Sequence, residues 1–436
     1  MTGAAYPTIV ALSSAAGRAG VAVVRVSGSQ VRFVLETILG TLPKPRLATL
    51  SALRDRDGEV IDQGLALYFP GPKSFTGEDV AEFQVHGSRA VLSRLLKTLT
   101  ALPGLRLAEP GEFTRRAFEA GKLDLAAVEG LADLIDSETE WQRRQALRQM
   151  EGALGIAAAE WRAALIKAMM LLEAEIDFAD EGDVSGPLIA EAVGIARTVL
   201  PSLQSALGSF RAGERVREGF VVVLAGPPNA GKSSLLNALA RRDVAIVSPI
   251  AGTTRDAIEV RLDLDGIPVL LVDTAGLRES ADEIEAEGVR RALQRVADAD
   301  LTLNLRAIDS DPVSMPAGAS SLAIATKIDL PGRQVPGEVG VSAQSGAGLG
   351  ELIALIGARL REMASPEPAL LTRERQRIAV GEAVAAILRA EALDQGQPEL
   401  IAEELRLAAR ALERLVGRID VEDVLDSLFS GFCIGK

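Results

Sequence analysis

The chain has 436 residues, of which 48% are hydrophobic and 25% charged, a composition typical of a globular protein with two or three domains. Its formal net charge of −13 argues against a simple electrostatic clamp for nucleic acid, and its 3% aromatic content leaves few stacking surfaces for single-stranded bases. The single cysteine excludes an intramolecular disulfide and fits a reducing compartment. The sequence has neither a signal-peptide pattern nor a run of about 18 apolar residues, so we expect a cytoplasmic protein without a membrane span.

Short apolar runs between glycine and proline turns indicate strands in the first part of the chain, as in "PTIVAL" and "GVAVVRVSG", with a turn-rich loop at "YFPGPKSFTGED". From Leu123 onward the sequence is rich in Ala, Leu, Glu and Arg, and Val128, Leu131 and Ile135 follow helical spacing. After a break at "DEGDVSGP", a second helical run continues to about Arg215.

The next part of the chain alternates strands with helices. "GFVVVLAG" is typical of a strand buried on both faces, and a turn at Asp265-Gly266 joins two further strands into a hairpin. Additional strands are predicted in "LTLNLRAID" and "SLAIATKID", with helical runs at 234–240, 285–297 and 349–362. This alternation predicts a mainly parallel sheet.

Helical sequence flanks the α/β part on both sides. A linker at "MASPEPAL" precedes two proline-free segments, "ERQRIAVGEAVAAILRAEAL" and "ELIAEELRLAARALERLVGRI". The simplest interpretation is one helical domain with an α/β domain inserted into it. Two separate helical pieces remain the alternative.

The strongest motif is "GPPNAGKSS", which matches G-x-x-x-x-G-K-[ST] between a strand and a helix. Its glycines let backbone N–H groups curl around phosphate oxygens, and the helix N-terminus adds its positive dipole end. Lys232 supplies a charge to the β- and γ-phosphates and acts in catalysis, and Ser233 offers its hydroxyl to Mg²⁺. The predicted phosphate-site residues are Gly226, Asn229, Ala230, Gly231, Lys232, Ser233 and Ser234.

Two downstream motifs predict a metal and γ-phosphate site. "AGTTRD" places Thr253 and Thr254 on a loop before the hairpin, where a hydroxyl can complete the Mg²⁺ shell. "DTAG" ends the second hairpin strand, so that Asp273 can hold Mg²⁺ through water and the Gly276 N–H can contact a γ-phosphate.

Two further motifs predict guanine as the base. In "TKID", Asp329 can accept hydrogen bonds from guanine, whereas an adenine would leave this carboxylate unpaired. "VSAQSG" follows, and a backbone amide at Ser342 or Ala343 can meet guanine O6. Thr326 precedes Lys327 where the usual pattern is Asn-Lys-x-Asp, so we expect guanine selection with an altered affinity. In this order, the four motifs indicate a GTPase.

The chain resembles the MnmE (TrmE) family of tRNA-modification GTPases over its whole length. The resemblance is carried by "GRAGVAVVRVSG", "SFTGEDVAEFQVHG", "PGEFTRRAFEAGKLDLAAVEGLADLID", "GPPNAGKSSLLNAL", "IAGTTRD", "DTAGLRES" and the terminal "FCIGK". It implies an α+β folate-binding and dimerisation domain over 1–120, a helical domain over 121–215 and 365–436, and an inserted Ras-like P-loop G domain over 216–364.

The resemblance also implies a reaction. A homodimer would join an FAD-containing MnmG (GidA) partner in a heterotetramer and install a (carboxymethyl)aminomethyl group at C5 of the wobble uridine in certain tRNAs. A tetrahydrofolate, either the 5-formyl or the 5,10-methylene form, would supply the one-carbon unit. The tRNA would be bound largely through the partner.

Hydrolysis in such proteins depends on K⁺ and on the pairing of two G domains. The DTAG motif is followed by Leu277 and Arg278 rather than by the glutamine that orients water in Ras-like enzymes. The resemblance implies that K⁺ replaces an arginine finger and that Glu285 positions the attacking water. The implied K⁺ ligands are Asn229, Ser248, Ile250 and Thr253.

The resemblance implies a folate site at Arg25, Glu82, Lys122 and Lys436, in which cations meet carboxylates and a carboxylate meets pterin N–H groups. His86, the only histidine, is interpreted as a local structural hydrogen bonder. For Cys433 two interpretations stay open, a catalytic nucleophile or a packed small hydrophobic residue.

Two other functions remain as alternatives. A ribosome-assembly GTP switch similar to Era or Der would share the G domain but would lack folate binding. A folate-dependent aminomethyl transferase with a vestigial G domain is disfavoured by the intact nucleotide motifs. The acidic charge and the N-terminal motifs favour the tRNA-modification GTPase.

Overall fold

A computed structural model provides the coordinates of the protein, and it describes residues 7–177, 187–242, 244–246, 259–273, 299–310, 320–332, 336–364, 368–394, 396–417, 419, 422–432 and 434–435. The chain divides into two compact units. The first comprises Met1–Ala132 and Glu413–Lys436, and the second comprises Asp133–Leu412.

The first unit is built on a six-stranded sheet with the order β3-β4-β5-β2-β1-β6. Neighbouring strands are antiparallel except for β1 and β6, which pair in parallel. The strands are β1 Thr8–Leu12, β2 Ala19–Ser27, β3 Thr49–Arg54, β4 Val60–Phe69, β5 Val80–Gly87 and β6 Leu105–Leu107.

Two helices, α1 (Val31–Leu39) and α2 (Arg89–Thr100), cover one face of this sheet and bury alternate strand residues beneath them. A third helix, α3 (Glu112–Glu119), places Phe113 against β1 from the other side. Apart from Ser27 and Val80, which are buried at one end, the remaining residues of β2 and β5 on that side are half-buried or exposed. We call this surface the open face, and its central residues are Val21, Val23 and Arg25 of β2 with Glu82, Gln84 and His86 of β5.

The end of the chain packs against the same unit. The last helix, α13 (Glu422–Ser430), approaches the turn before α3 so closely that a Cβ atom on Gly111 would lie 2.7 Å from the carbonyl oxygen of Phe429. The hydroxyl of Ser13 donates a hydrogen bond of 2.9 Å to the carbonyl of Gly435. A Cβ atom on Gly435 would lie 2.1 Å from the Leu12 carbonyl oxygen, so only glycine fits there. The terminal segment is therefore fixed beside the end of β1.

The second unit contains a six-stranded sheet with the order β12-β11-β10-β7-β9-β8, which is parallel except for the β8–β9 hairpin. This confirms the predicted α/β fold and its hairpin. Its elements are β7 Phe220–Ala225, α9 Lys232–Ala240, β8 Glu259–Leu264, β9 Ile267–Asp273, β10 Leu301–Ala307, β11 Ser321–Thr326, β12 Val339–Val341 and α10 Leu349–Met363.

Helices occupy the rest of the described chain, and the predicted fold class of an α+β part, a helical part and a P-loop α/β part is confirmed. Two glutamine side chains of α5 (Glu140–Met150) donate to backbone carbonyls that precede and follow the α/β part in the sequence. Gln145 donates to the Gly213 carbonyl at 2.8 Å, and Gln149 donates to the Leu370 carbonyl at 2.6 Å. The remaining helices are α4 Leu125–Ile135, α5 Glu140–Met150, α6 Ala153–Asp177, α7 Pro187–Arg197, α8 Leu200–Glu218, α11 Glu374–Ala392 and α12 Pro398–Leu415.

Helix length and hydropathy bear on the expected absence of a membrane span. Within the part of the chain that the structure describes, no helix combines the length and the apolar character that crossing a bilayer requires.

Candidate nucleotide and folate sites

The loop between β7 and α9 has the backbone of a phosphate-binding loop. Gly226, Asn229 and Gly231 have φ values of 152°, 65° and 86°, in the left-handed region that favours glycine. A Cβ atom on Gly226 would lie 2.4 Å from the carbonyl oxygen of Leu305 in the neighbouring strand. The glycine at this position is therefore needed for the contact between the loop and the sheet.

The side chain of Lys232 lies against this loop. It is 8% exposed, and its Nζ donates hydrogen bonds of 2.7 Å to the Gly226 carbonyl and 3.1 Å to the Pro227 carbonyl. The ammonium group is thus held at the loop that the sequence predicts to surround phosphates, where it can balance their charge.

Two residues that are predicted to hold Mg²⁺, each from a separate motif, are hydrogen-bonded to each other. The Ser233 hydroxyl donates a hydrogen bond of 2.6 Å to Oδ2 of Asp273, the last residue of β9. Hydroxyl and carboxylate oxygens are the donors that Mg²⁺ prefers, so this pair fits the predicted ion. Ser233 would bind it directly and Asp273 through water.

A pocket of about 220 Å³ lies beside the phosphate loop, at the ends of β11 and β12. The carboxylate of Asp329 accepts a hydrogen bond of 2.5 Å from the Ser342 hydroxyl, which fixes its orientation. The pocket therefore has the position and the acceptor that guanine recognition requires. Its lining residues are Gly231, Ser234, Leu235, Thr326, Lys327, Asp329, Leu330, Val341, Ala343 and Gln344.

Thr326 connects this pocket to the phosphate loop. Its hydroxyl lies 2.6 Å from the Ala230 carbonyl, to which it donates, and 3.2 Å from the Arg306 carbonyl. Thr326 and Ala230 are both buried, with exposures of 4% and 1%. The departure from the usual Asn at this position thus preserves a polar contact between the base pocket and the phosphate loop.

The structure leaves part of the predicted nucleotide and folate sites untested, because eight of the predicted residues lie outside the described part of the chain. They are Ser248, Ile250, Thr253, Thr254, Gly276, Glu285, Cys433 and Lys436.

Three of the four residues assigned to folate lie in the first unit near one loop. Arg25 forms an ion pair with Glu82 on the neighbouring strand, with Nη2 2.9 Å from Oε1. The Arg25 guanidinium also lies 5.5 Å from the ring centroid of Phe75, in the loop between β4 and β5. Lys122 borders the same loop, since a Cβ atom on Gly77 would lie 3.7 Å from its Cε.

A charged network that the sequence analysis missed holds this loop in place. The buried Arg116 guanidinium donates to Glu78 of the loop at 2.9 Å and to Glu112 at 2.8 Å, and Arg106 also bonds Glu112. Burial disfavours the charged form of Glu112, but hydrogen bonds from Arg106, the Glu109 N–H and Arg116 outweigh this and hold its pKa below the ordinary value. The signal was present in the two motifs "SFTGED" and "PGEFTRR", whose side chains bond each other.

Two family models match consecutive parts of the chain. The family model described as "GTP-binding protein TrmE N-terminus" matches residues 8–122, and the "MnmE helical domain" model matches residues 125–433. Among solved structures, the G domain of the T. maritima FeoB iron transporter is similar to 32% of this chain at 24% identity, with 98% of that chain covered and a TM-score of 0.23.

Full-length relatives are far more similar. Proteins named tRNA modification GTPase MnmE are 52% identical in Bradyrhizobium sp. and 54% in Azorhizobium caulinodans, each covering 98% of this chain and 99% of the relative. The protein of that name in Beijerinckia indica is 53% identical over 99% of this chain and 97% of its own length. With more than half of its residues identical to these relatives along nearly its whole length, the chain belongs to the tRNA modification GTPase MnmE family.

Proposed function

We propose that this GTP hydrolase is activated by K⁺ and by pairing of two G domains, and that it acts in the cytoplasm in modifying tRNA. In this proposal a homodimer works with an FAD-containing partner similar to MnmG (GidA) and modifies C5 of the wobble uridine. A tetrahydrofolate, in its 5-formyl or 5,10-methylene form, supplies the one-carbon unit. The observation that carries the proposal is that one chain combines the Ser233–Asp273 pair of the nucleotide site with the Arg25–Glu82 pair, in a unit that also includes Glu413–Lys436.

The proposed domains divide these tasks. Residues 1–120 bind folate and dimerise, residues 216–364 form the G domain, and residues 121–215 with 365–436 form one helical domain. The hydrogen bonds that α5 donates to both flanks of the α/β part support a single helical domain.

Within the proposed nucleotide site, each described residue has a distinct task. Lys232 lies where it can bind the β- and γ-phosphates, and Ser233 and Asp273 would hold Mg²⁺. Asn229, with its left-handed backbone, projects from the phosphate loop and is the described member of the proposed K⁺ ligand set. That set is completed by Ser248, Ile250 and Thr253, while Glu285 positions the attacking water.

Replacing Na⁺ by K⁺ tests the proposed activation. Positive charge at the position of an arginine finger is worth about 10³-fold or more in related reactions, so we expect GTP turnover at equal ionic strength to rise by at least about tenfold in K⁺. Phosphate release from GTP is the measurement, with full-length protein at several concentrations because pairing should make the rate concentration-dependent. Equal rates in the two salts would contradict the proposal.

Glu285→Ala provides the control for this measurement. If Glu285 positions water, the variant should bind a fluorescent GTP analogue as tightly as the parent protein while its K⁺-dependent turnover falls. Loss of nucleotide binding would instead assign Glu285 a structural role.

A further inference from the structure

The described residues that are assigned to folate, two cations and one acceptor, all lie at one end of the open face. Glu82 can accept hydrogen bonds from the pterin ring, and Arg25 is bonded to that same carboxylate at 3.0 Å. Lys122 borders the loop that precedes β5, at the same end. A folate, however, is anionic at its opposite end, where the glutamyl carboxylates lie.

His86 lies on β5 four residues beyond Glu82. Strand alternation places Glu82, Gln84 and His86 on one face, and four residues span about 13 Å. Leu65 of β4 and Val23 of β2 flank Gln84 in the sheet and are half-buried. Between Glu82 and His86 the open face therefore offers a partly apolar strip.

The imidazole of His86 is anchored by one side chain. Asp62 accepts hydrogen bonds from the His86 backbone N–H at 2.8 Å and from Nδ1 at 2.9 Å. Burial opposes ionisation of Asp62, but these hydrogen bonds and the one from the Gln63 N–H hold its pKa below the ordinary value. A carboxylate on Nδ1 fixes the orientation of the ring and directs Nε2 outward.

The outer nitrogen of this ring is available. The His86 side chain is 70% exposed, whereas Asp62 is 11% exposed. The mostly buried carboxylate therefore holds one edge of the ring, and the other edge faces solvent. Among the described residues, no hydrogen bond to Nε2 is present. With both ring nitrogens protonated, the ring can donate to two carboxylates, Asp62 at Nδ1 and a ligand carboxylate at Nε2.

We propose that His86 binds a glutamyl carboxylate of the folate, so that the ligand extends along β5 with its pterin at Glu82 and its anionic tail at His86. This inference rests on the proposed folate function and assigns the ligand a direction on the open face. In this proposal His86 is a specificity-determining residue for the anionic tail, in addition to the structural hydrogen bonder that the sequence predicted. The pattern of groups matches the ligand: an acceptor for the pterin, an apolar strip for the aminobenzoyl ring, and an exposed ring nitrogen that can donate to the tail when protonated.

Calorimetric titration of the full-length protein with two ligands tests this. The first ligand is 5-formyltetrahydrofolate and the second is its diamide, in which both glutamyl carboxylates are uncharged. We expect His86→Gln to weaken binding of 5-formyltetrahydrofolate on the order of fivefold, the value of a partly exposed ion pair, and to leave binding of the diamide unchanged. His86→Lys, which places an ammonium group at this position, should restore the preference for the charged ligand.

Lys97→Gln is the matched control, because Lys97 is an exposed cation on α2, the helix that covers the opposite face. It should change neither affinity.

A second measurement uses the fact that the chain contains one histidine. Its ring signals in an NMR spectrum should move on addition of 5-formyltetrahydrofolate and move far less with the diamide.

The outcomes separate this inference from the proposed function. If the parent protein binds neither ligand, the folate function itself fails. If it binds both but His86→Gln leaves the preference between them unchanged, the folate function stands and the role of His86 is wrong. A shift in the monomer–dimer equilibrium of His86→Gln with an unchanged ligand preference would assign this end of the face to a second copy of the chain, and would also contradict the inference.

Discussion

At the residue scale, Thr326 shows how a departure from a motif can preserve its contact. The motif alone predicted an altered guanine affinity, because a threonine lacks the amide of an asparagine. In the structure the Thr326 hydroxyl bonds the buried carbonyl of Ala230 in the phosphate loop. The residue therefore ties base recognition to phosphate binding.

Thr326→Val keeps the shape of the side chain and removes this donor. A buried carbonyl that loses its partner costs about 1 kcal/mol or more, so we expect the dissociation constant for GDP to rise roughly fivefold or more. Titration with a fluorescent GDP analogue measures it. Thr326→Ser keeps the hydroxyl and should bind nearly as the parent does, and a valine variant with parental affinity would show that the contact is unimportant for binding.

The residues of the nucleotide site were predictable because their spacing is set by local chemistry. A phosphate loop needs its glycines and lysine at fixed separations between one strand and one helix, and the sequence shows them. The contacts of Arg25 with Phe75 and of Arg116 with Glu78 were not predicted: the motifs show these residues, but the partners lie tens of residues apart in the chain. Only the folded sheet brings Glu78 of the loop to Arg116 of α3.

At the element scale, the β8–β9 hairpin links the nucleotide site to the helical part. Its last residue is Asp273, at the nucleotide site, whereas its turn packs against α5. The Trp141 N–H donates a hydrogen bond of 3.1 Å to the Gly266 carbonyl, and Arg361 pairs with Asp265 at 2.8 Å. The hairpin therefore contacts the nucleotide site at one end and the helical part at the other.

Two glycine-to-alanine variants should have opposite effects on stability. Gly266 has a φ of 89°, and an added Cβ would lie 3.3 Å from Glu140 and Trp141, so Gly266→Ala should cost about 1 to 2 kcal/mol. Gly208 lies in α8 with nothing within 4 Å of an added Cβ, so Gly208→Ala should stabilise by roughly 0.5 to 1 kcal/mol. Urea unfolding followed by Trp141 emission, with Trp161 replaced by Phe, measures both. Equal midpoints would contradict the predicted strain at the turn.

Predictability at this scale depended on the length of the pattern. The hairpin and the β7 strand were recognised from alternating or continuous apolar runs, and the structure confirms them. Helices α1, α2 and α3 were not predicted. Each is twelve residues or shorter, so its periodicity covers few turns, and tertiary packing on the sheet decides its state.

At the scale of the whole molecule, the two sites belong to different compact units, so their ligands should be separable. Removing residues 433–436 should weaken binding of 5-formyltetrahydrofolate, because Gly435 is hydrogen-bonded beside β1 and the proposed contact of Lys436 follows it. The affinity for a fluorescent GDP analogue should not change. Ser13→Ala removes one hydrogen bond that holds the same segment and should weaken folate binding less. Unaltered folate binding by the truncated chain would exclude the C-terminal segment from the folate site.

The bond between Ser13 and Gly435 joins residues 422 positions apart in the chain. A ribosome adds about 5 to 20 residues per second, so on the order of 20 to 80 s separates the synthesis of its two halves. During that interval the strands of the first unit can pair, while Gly435 has not yet been made. The residues of the second unit, Asp133–Leu412, are synthesised in between, so the bond that anchors Gly435 beside β1 can form only after the chain of the nucleotide site has been made.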